Sequence, residues 1–455
     1  MSSTIAALAS GNSEAAIAIV RISGPNVPRV LKRALGLDRP AARTAVRAKY
    51  KNSDGEILDD VLATFFKAPA SYTGEDCAEI CCHGSLFIVQ NILQDLFANE
   101  CEPAQPGDFT RRAFMNGKMD LSQAEAVALV IGARSKRALE AAQRQLDGEL
   151  GRRIGLFSSK LLDACALAEA YIDFPEDDLP PEDKSKLLQT CRNLSADMRA
   201  LADTSKYSAL IHNGLNVVIA GAPNAGKSSL LNALTASDRA IVSPHAGTTR
   251  DFICEKIVLE DCCINLIDTA GLRDCAEQIE GLGVEIALKK IRSADMRLLV
   301  IDASGGESAA AIPDGAREGM SPENTVIALN KLDLMRADSE SSAFRQAFPG
   351  YECVRISCRT GEGVEELKRA IVQTIRRHHI RAAADDILVS ARHAGSLLLA
   401  SDALDSASKK IAGGAPAELS ASDLRCALDR IGEIVGRFDS NDILDKIFSN
   451  FCIGK

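Results

Sequence analysis

The chain has 455 residues, of which 46% are hydrophobic and 25% charged, and this ordinary globular balance at such a length predicts two to four domains. Its formal net charge of −9 excludes the overall positive field of a protein that holds nucleic acid by itself, although a local basic patch or a basic partner stays open. No run of 18 apolar residues occurs, residues 4–20 lack the basic start of a signal peptide, and the 14 cysteines show no C-x-x-C spacing, so we expect no membrane span and a cytoplasmic location.

Short β-like runs alternate with turns over residues 1–117, which predicts an α+β domain. The runs are AAIAIVRISG, VLATFFKAP and CAEICCHG. The last of these, residues 77–84, contains three cysteines and a histidine that could bind a metal ion. We favour the simpler interpretation, a cysteine-rich buried strand that ends in a glycine turn.

In the remaining chain, the composition and the spacing of apolar residues change twice. Residues 118–213 are rich in Ala and Leu at helical spacing, and Ser122 with Glu125 predicts a capping box at the start of the first helix. Strand-like and helix-like segments then alternate over 214–376, which is typical of a doubly wound parallel sheet, and helical spacing resumes over 377–455. We therefore predict a multidomain protein in which an α/β domain is inserted into an all-α domain.

A phosphate-binding motif opens the inserted domain. A predicted strand over Val217–Ala220 precedes a loop that matches G-x-x-x-x-G-K-[ST] from Gly221 to Ser228, and a helix follows. The glycines let backbone amides approach phosphates, Lys227 places a positive charge at the β- and γ-phosphates, and the Ser228 hydroxyl can bind Mg²⁺. The motif predicts a site for a nucleoside triphosphate.

Two later strand ends indicate which nucleotide binds. The strand CINLIDTAG ends in Asp268, placed to act on the Mg²⁺ shell, and Gly271 can turn its N–H toward the γ-phosphate. The strand VIALNKLD brings Asp333, whose carboxylate can accept hydrogen bonds from guanine N1–H and N2–H₂. Adenine offers no such pair of donors, so ATP would leave the carboxylate unpaired at a penalty of order 10²-fold or more. The sequence therefore predicts GTP rather than ATP.

Three further segments belong to this site. RISCRTGEGVEEL places Ser357-Cys358-Arg359 where a short S-A-K loop usually lies behind the guanine. SPHAGTTRD, residues 243–251, lies where a switch loop belongs, with Thr249 as a second hydroxyl on Mg²⁺, unless it is only a surface turn. In DTAGLRD, Leu272 stands where many GTPases have a glutamine that orients the attacking water. Either hydrolysis is poor, or the catalytic help comes from elsewhere.

Over nearly its full length the sequence resembles one family, the bacterial tRNA modification GTPases called MnmE or TrmE. The resemblance depends on GAPNAGKSSLLNAL, AGTTRD, DTAGLRD, SYTGED, PGDFTRRAF and the terminal FCIGK. It implies a potassium-dependent GTPase that works as a homodimer with the flavin-containing partner MnmG, in a heterotetramer or larger complex. Together they would add a carboxymethylaminomethyl group to C5 of the wobble uridine, position 34, of certain tRNAs.

The resemblance also implies what replaces the glutamine. A K⁺ ion sits against the phosphates where other GTPases receive an arginine finger, a group that contributes about 10³–10⁵ in rate. Asn224 matches the potassium-binding asparagine of the family, and Ser243, His245 and Thr248 match the loop around the ion. Glu280 matches the glutamate that orients the water, although by sequence alone it could be a solvated residue at a helix start. In the family, two nucleotide domains complete the ion site by meeting across a dimer.

The residues implied in catalysis are Glu280, Lys227 and Thr249, and those implied to bind Mg²⁺ are Ser228 and Thr249. The residues implied to contact GTP are Asn224, Ala225, Gly226, Lys227, Ser228, Ser229, Ser243, Thr248, Thr249, Asp268, Thr269, Ala270, Gly271, Asn330, Lys331, Asp333, Ser357, Cys358 and Arg359.

The resemblance implies a folate pocket in the N-terminal domain. Arg21, Glu79 and Lys118 match positions that contact a one-carbon tetrahydrofolate, either 5-formyl or 5,10-methylene, and Lys455 matches the terminal lysine at the same pocket. Cations suit the glutamate tail of the folate, and a carboxylate suits the donor edge of the pterin. By sequence alone each of these residues could be an ordinary surface charge.

The tail FCIGK would expose apolar surface if it frayed, so we expect it to dock with Phe451 and Ile453 buried and Lys455 delivered to the folate pocket. Cys452 could act as a nucleophile or base near the one-carbon unit, or be a packed, partly buried cysteine. Two rival functions stay open. A ribosome-assembly GTPase without modifying activity would carry an RNA-binding module or basic tail, which the sequence lacks, and a GTPase that only dimerises or scaffolds would not bind folate.

Overall fold

The computed structural model describes residues 3–173, 181–237, 254–268, 294–304, 319–335, 347–378, 387–436, 441–449 and 451–454. By its internal contacts the chain forms two compact units. The first comprises residues 1–131, 143–198 and 396–455, and the second comprises residues 132–142 and 199–395.

The first unit contains a six-stranded sheet. Its strands are β1 (Ile5–Leu8), β2 (Ala15–Ser23), β3 (Ala45–Lys51), β4 (Ile57–Phe66), β5 (Cys77–Gly84) and β6 (Glu102–Pro103). Their order is β3-β4-β5-β2-β1-β6, and neighbours are antiparallel except for β1 and β6. Three helices accompany the sheet: α1 (Val27–Leu35), α2 (Leu86–Asn99) and α3 (Asp108–Met115). The predicted α+β domain is confirmed.

Alternation along the strands decides which face of this sheet is buried. On β2, Val20 and Ile22 are fully buried, whereas Ile17 is exposed. The buried face packs against apolar side chains of α1 and α2, among them Leu31 and Ile92. The burial pattern of β5 confirms the buried strand predicted for residues 77–84, and the period of two places the adjacent Cys81 and Cys82 on opposite faces of the sheet.

Long helices form the rest of the first unit and part of the second. They are α4 (Leu121–Gly132), α5 (Lys136–Leu146), α6 (Glu149–Asp173), α7 (Pro181–Asp203), α11 (Ala391–Ala412), α12 (Ala417–Val435) and α13 (Asn441–Phe448). Among the described residues, none of the helices combines the length and apolarity needed to cross a membrane.

The predicted capping box at the start of α4 is wrong by two residues. The Gln123 backbone N–H donates to Asp120 Oδ1 at 2.9 Å, and the Asp120 N–H donates to Gln123 Oε1 at 3.0 Å. This reciprocal pair satisfies two free amides at the helix start. Ser122 instead lies inside the first turn, fully buried, and its hydroxyl donates to Asp120 Oδ1.

The second unit contains a six-stranded, almost entirely parallel sheet. Its elements are α8 (Ser205–Asn213), β7 (Leu215–Gly221), α9 (Lys227–Ser237), β8 (Cys254–Leu259), β9 (Cys262–Asp268), β10 (Met296–Asp302), β11 (Thr325–Asn330), a 3₁₀ turn (Leu332–Leu334), β12 (Glu352–Arg355) and α10 (Val364–His378). The strand order is β12-β11-β10-β7-β9-β8, and only β8 is antiparallel to its neighbour.

This sheet has the doubly wound character that the sequence predicts. Strands β9 and β11 are buried at every residue, because both of their faces are covered. In such a sheet, ligands bind at the carboxyl ends of the strands. The ends of β7, β9 and β11 carry the residues predicted to bind nucleotide, so they lie along one edge.

Candidate functional site

The loop after β7 has the backbone of a phosphate-binding loop. It ends where Lys227 begins α9, so the first amides of the helix face the loop. Asn224 adopts a left-handed conformation, with φ of +60°. The Lys227 ammonium donates to the carbonyl oxygens of Gly221 at 3.2 Å and Ala222 at 2.9 Å, so it folds back over the loop. Ser229, also predicted to contact GTP, lies exposed in the first turn of α9.

Ser228 and Asp268 meet between this loop and the end of β9. The Ser228 hydroxyl donates to Asp268 Oδ2 at 3.1 Å, and Asp268 is only 5% exposed. Hydroxyl and carboxylate oxygens are the hard ligands that Mg²⁺ prefers, and Mg²⁺ keeps several waters. The pair therefore fits a Mg²⁺ ion held partly by protein and partly by nucleotide and water.

Asn330 ties the phosphate loop to the loop after β12. Its Nδ2 donates to the Ala225 carbonyl at 2.9 Å, and its Oδ1 accepts the Cys358 N–H at 3.1 Å. The Asn330 side chain is buried, with the residue only 3% exposed; its bond to Ala225 is fully buried and its bond from Cys358 is partly buried. Gly226 makes this approach possible, since a Cβ there would lie 2.1 Å from Asn330 Nδ2.

Asp333 presents the carboxylate predicted to bind guanine. Its Oδ1 accepts the Ser357 hydroxyl at 2.6 Å, and its Oδ2 lies 2.7 Å from Arg359 Nη2. The Ser357 hydrogen bond, helped by the nearby Arg359 charge, holds the pKa of Asp333 below its ordinary value, so the group is a carboxylate at neutral pH. Burial raises the pKa of the neighbouring Cys358 thiol to about 11, which keeps the thiol neutral.

Lys331 contacts Asp302, a residue of this site that was not predicted from the sequence. Lys331 has a φ of +66°, and its Nζ donates to Asp302 Oδ2 at 2.5 Å. Burial raises the pKa of Asp302, but the hydrogen bonds from Lys331 and Ser304 outweigh it, and the pKa falls below its ordinary value. Asp302 ends β10 at the same edge of the sheet as Asp268. That position at a strand end was the signal that could have found it.

A second cluster lies in the first unit, around Arg21. Arg21 on β2 and Glu79 on β5 are directly paired in the sheet, and Glu79 Oε1 accepts from Arg21 Nε at 3.0 Å and Nη2 at 2.8 Å. The guanidinium lies 5.5 Å from the ring centre of Tyr72 and 5.7 Å from that of Phe109, two aromatic contacts that the sequence analysis missed. The Lys118 ammonium donates instead to the Pro69 carbonyl, at 3.0 Å.

The C-terminal tail reaches this second cluster. Arg21 Nη1 donates to the Gly454 carbonyl at 3.3 Å. Phe451 is 8% exposed and its ring lies 5.4 Å from that of Phe448, so the predicted docking of Phe451 is confirmed. The predicted burial of Ile453 is wrong, because its side chain is 60% exposed. Cys452 is also exposed, which contradicts its interpretation as a packed cysteine.

Several predicted site residues lie outside the described residues. They are Ser243, His245, Thr248, Thr249, Thr269, Ala270, Gly271, Glu280 and Lys455. The described part of the nucleotide site thus comprises the phosphate loop, the Ser228–Asp268 pair and the residues predicted to bind the base. Together with the strand order, these features define a guanine-nucleotide-binding protein of the P-loop GTPase class.

Comparisons with known proteins agree with this class. A family model described as "MnmE helical domain" matches residues 121–452, and one described as "GTP-binding protein TrmE N-terminus" matches residues 4–118. The tRNA modification GTPase MnmE of Opitutus terrae is 44% identical over 452 residues, and that of Akkermansia muciniphila is 41% identical over 457 residues; each alignment covers 99% of both chains. The chain belongs to the MnmE (TrmE) family.

One of the similar solved structures matches part of the chain. It is the G domain of the T. maritima FeoB iron transporter, which is 30% identical, covers 35% of this chain and 98% of that chain, and gives a TM-score of 0.27. The assignment of the GTPase fold rests on the strand order and the site itself.

Proposed function

We propose that this chain is a GTP hydrolase that acts in tRNA modification. The observation that carries the proposal is the placement of the Asp333 carboxylate and the Lys227 ammonium along one sheet edge, in a chain of the MnmE family. Asp333 would select guanine, and Lys227 would leave the loop carbonyls to contact the β- and γ-phosphates. The rival function in ribosome assembly loses its support, because the matched relatives are named for tRNA modification.

The Ser228 hydroxyl would bind Mg²⁺ directly, with Thr249 as a second hydroxyl and Asp268 acting on the ion's shell. When bound, the ion neutralises the charge that develops between the β- and γ-phosphates. The 3.1 Å contact between Ser228 and Asp268 supports this assignment, since both oxygens already converge.

Potassium dependence is the second part of the proposal. Asn224, with Ser243, His245 and Thr248, would hold K⁺ beside the phosphates, and Glu280 would orient the attacking water in place of the missing glutamine. The left-handed backbone conformation of Asn224 supports its proposed role in binding K⁺, because the chain turns at this residue within the phosphate loop. GTP turnover should be much faster in KCl than in NaCl at equal ionic strength, and Asn224→Ala should flatten the difference. Equal turnover in both salts contradicts the ion mechanism.

The third part is a folate pocket built from Arg21, Glu79, Lys118 and Lys455. The Arg21–Glu79 pair and the docked Gly454 support it, since they bring the tail to these charges. Glu79 would accept hydrogen bonds from the pterin, and Lys118 and Lys455 would bind the glutamate tail of a 5-formyl- or 5,10-methylene-tetrahydrofolate. Because Arg21 already donates hydrogen bonds to Glu79, we propose that Arg21 holds the Glu79 carboxylate in place.

The remaining parts concern the assembly. We propose a cytoplasmic homodimer that works with MnmG, in a heterotetramer or larger complex, to add a carboxymethylaminomethyl group at C5 of uridine 34. We further propose domain bounds of 1–117, 118–213, 214–376 and 377–455. The two matched family models support the first boundary, because one ends at residue 118 and the other begins at residue 121.

Mass spectrometry of tRNA nucleosides tests the function. A deletion strain should lack carboxymethylaminomethyl-modified uridine, and the wild-type chain should restore it. Lys227→Ala should fail to restore it while accumulating to the same level in the cell, and Arg369→Ala, on the surface of α10, should restore it. Unchanged modified nucleosides in the deletion strain would refute the proposal.

A further inference from the structure

Both oxygens of the Asp333 carboxylate have partners within the protein. Ser357 occupies Oδ1 and the guanidinium of Arg359 occupies Oδ2. The two sides differ in exposure, since the Asp333 side chain is 11% exposed and that of Arg359 is 73% exposed. The carboxylate is therefore fixed in the pocket, and the arginine covers it from the solvent side.

Arginine and guanine offer this carboxylate the same chemical group. The N1–C2–N2 edge of guanine is part of a guanidine unit, and the arginine guanidinium likewise presents coplanar N–H donors on one carbon, with a full positive charge. The 2-amino group of the base must donate a hydrogen bond to a carboxylate oxygen of Asp333. Arg359 already contacts that oxygen, Oδ2. We infer that Arg359 competes with the guanine base for Asp333 Oδ2. When the nucleotide binds, the base displaces the arginine from this oxygen.

The inference rests on the proposed binding of GTP and adds a residue that sets nucleotide affinity. Arg359 is two residues from Ser357 in the same loop, so it always stays near the carboxylate. An exposed ion pair shifts an equilibrium by only about 1.4- to 5-fold. Because the apparent dissociation constant rises as the competent fraction falls, removing the competitor should tighten binding by about two- to sixfold.

Stopped-flow binding of mant-GDP to the full chain tests this. Arg359→Ala and Arg359→Gln should raise the association rate constant by about two- to sixfold and leave the dissociation rate constant unchanged, because the arginine acts only on the empty site. The difference from wild type should shrink at about 1 M salt, where ionic interactions are screened within about 3 Å. Arg369→Ala is the matched control, since its Nε donates to the Glu365 carbonyl, and it should change neither rate constant.

An unchanged association rate in Arg359→Ala would overturn the inference. So would faster dissociation, because the arginine would then contact the bound base instead of competing with it. Failure of the wild-type chain to bind mant-GDP, or equal binding of mant-ADP, would overturn the proposed function itself, and the inference with it. The comparison among wild-type, variant and control chains therefore separates the two failures.

Discussion

Gly454 holds the C-terminal tail at a backbone position that has no room for a side chain. Its φ is +92°, and an added Cβ would lie 2.2 Å from the Leu8 carbonyl oxygen. Leu8 is paired with Val20 within the sheet, so its carbonyl cannot retreat without breaking that pairing. We expect Gly454→Ala to release the tail from the Arg21 cluster.

The magnitude follows from two opposing contributions. A residue with a side chain in a sparsely populated backbone region costs about 1–3 kcal/mol, and the overlap with Leu8 adds to that cost. Burial of a Phe side chain contributes about 1.5–3 kcal/mol, and Phe451 is the buried apolar side chain among the described residues 451–454. Because the strain matches or exceeds the anchoring energy, the tail should detach while the rest of the fold stays intact.

Hydrogen exchange followed by mass spectrometry checks this on the full chain. The Phe451 amide, which donates to the Phe448 carbonyl at 3.0 Å, should exchange faster in Gly454→Ala. Gly155→Ala is the matched control: it lies inside α6 with no atom within 4 Å of the added Cβ, and it should stabilise the helix by about 0.5–1 kcal/mol. Unchanged exchange at Phe451 in Gly454→Ala would refute the reasoning.

Three further outcomes are expected. Asp333→Asn should change the preferred nucleotide from GTP to xanthosine triphosphate, because an amide can donate to the 2-oxo group of xanthine. Undiminished GTP affinity of this variant in calorimetric titration contradicts the assignment of Asp333. Asp120→Ala should lower the free energy of unfolding by about 0.5–2 kcal/mol in urea, since Gln123 loses its cap, and equal stability would remove the cap assignment. Burial raises the pKa of Asp95, but hydrogen bonds, chiefly from Arg33, outweigh it and leave the pKa lowered. The stability that Asp95 contributes is therefore complete above its unfolded pKa of about 3.9 and is lost as the pH falls through the lower folded pKa. Asp95→Asn should therefore flatten the acid side of a plot of urea midpoint against pH. An unaltered slope in this variant argues against the role of Asp95.

The described nucleotide site could be predicted from sequence because its chemistry is tied to strand ends. Each motif residue comes at a fixed distance from a buried apolar run, and a parallel sheet brings such ends to one edge. That logic placed Asp268 and Asn330 correctly. The same logic applies to Asp302, which ends β10 but belongs to no motif and was therefore not predicted.

The cluster in the first unit was less predictable, because it depends on strand register and docking. Arg21 and Glu79 are 58 residues apart, and only the pairing of β2 with β5 sets them opposite each other. The tail shows the same limit. Phe451 and Ile453 are both apolar, yet only Phe451 meets the cluster around Phe448, and nothing in five residues tells which side chain faces the protein.

The contacts around Asn330 have a consequence for how the nucleotide site works. A single buried amide joins the loop that would contact phosphates to the loop that would lie behind the base. Because the Asn330 side chain is buried, a shift of either loop breaks a hydrogen bond that is at least partly shielded from water. The Cys358 amide is one of the two partners, and it directly precedes Arg359. Displacement of that arginine by a base would therefore act on the same loop that Asn330 fastens to the phosphate loop, which ties base recognition and phosphate binding together through one side chain.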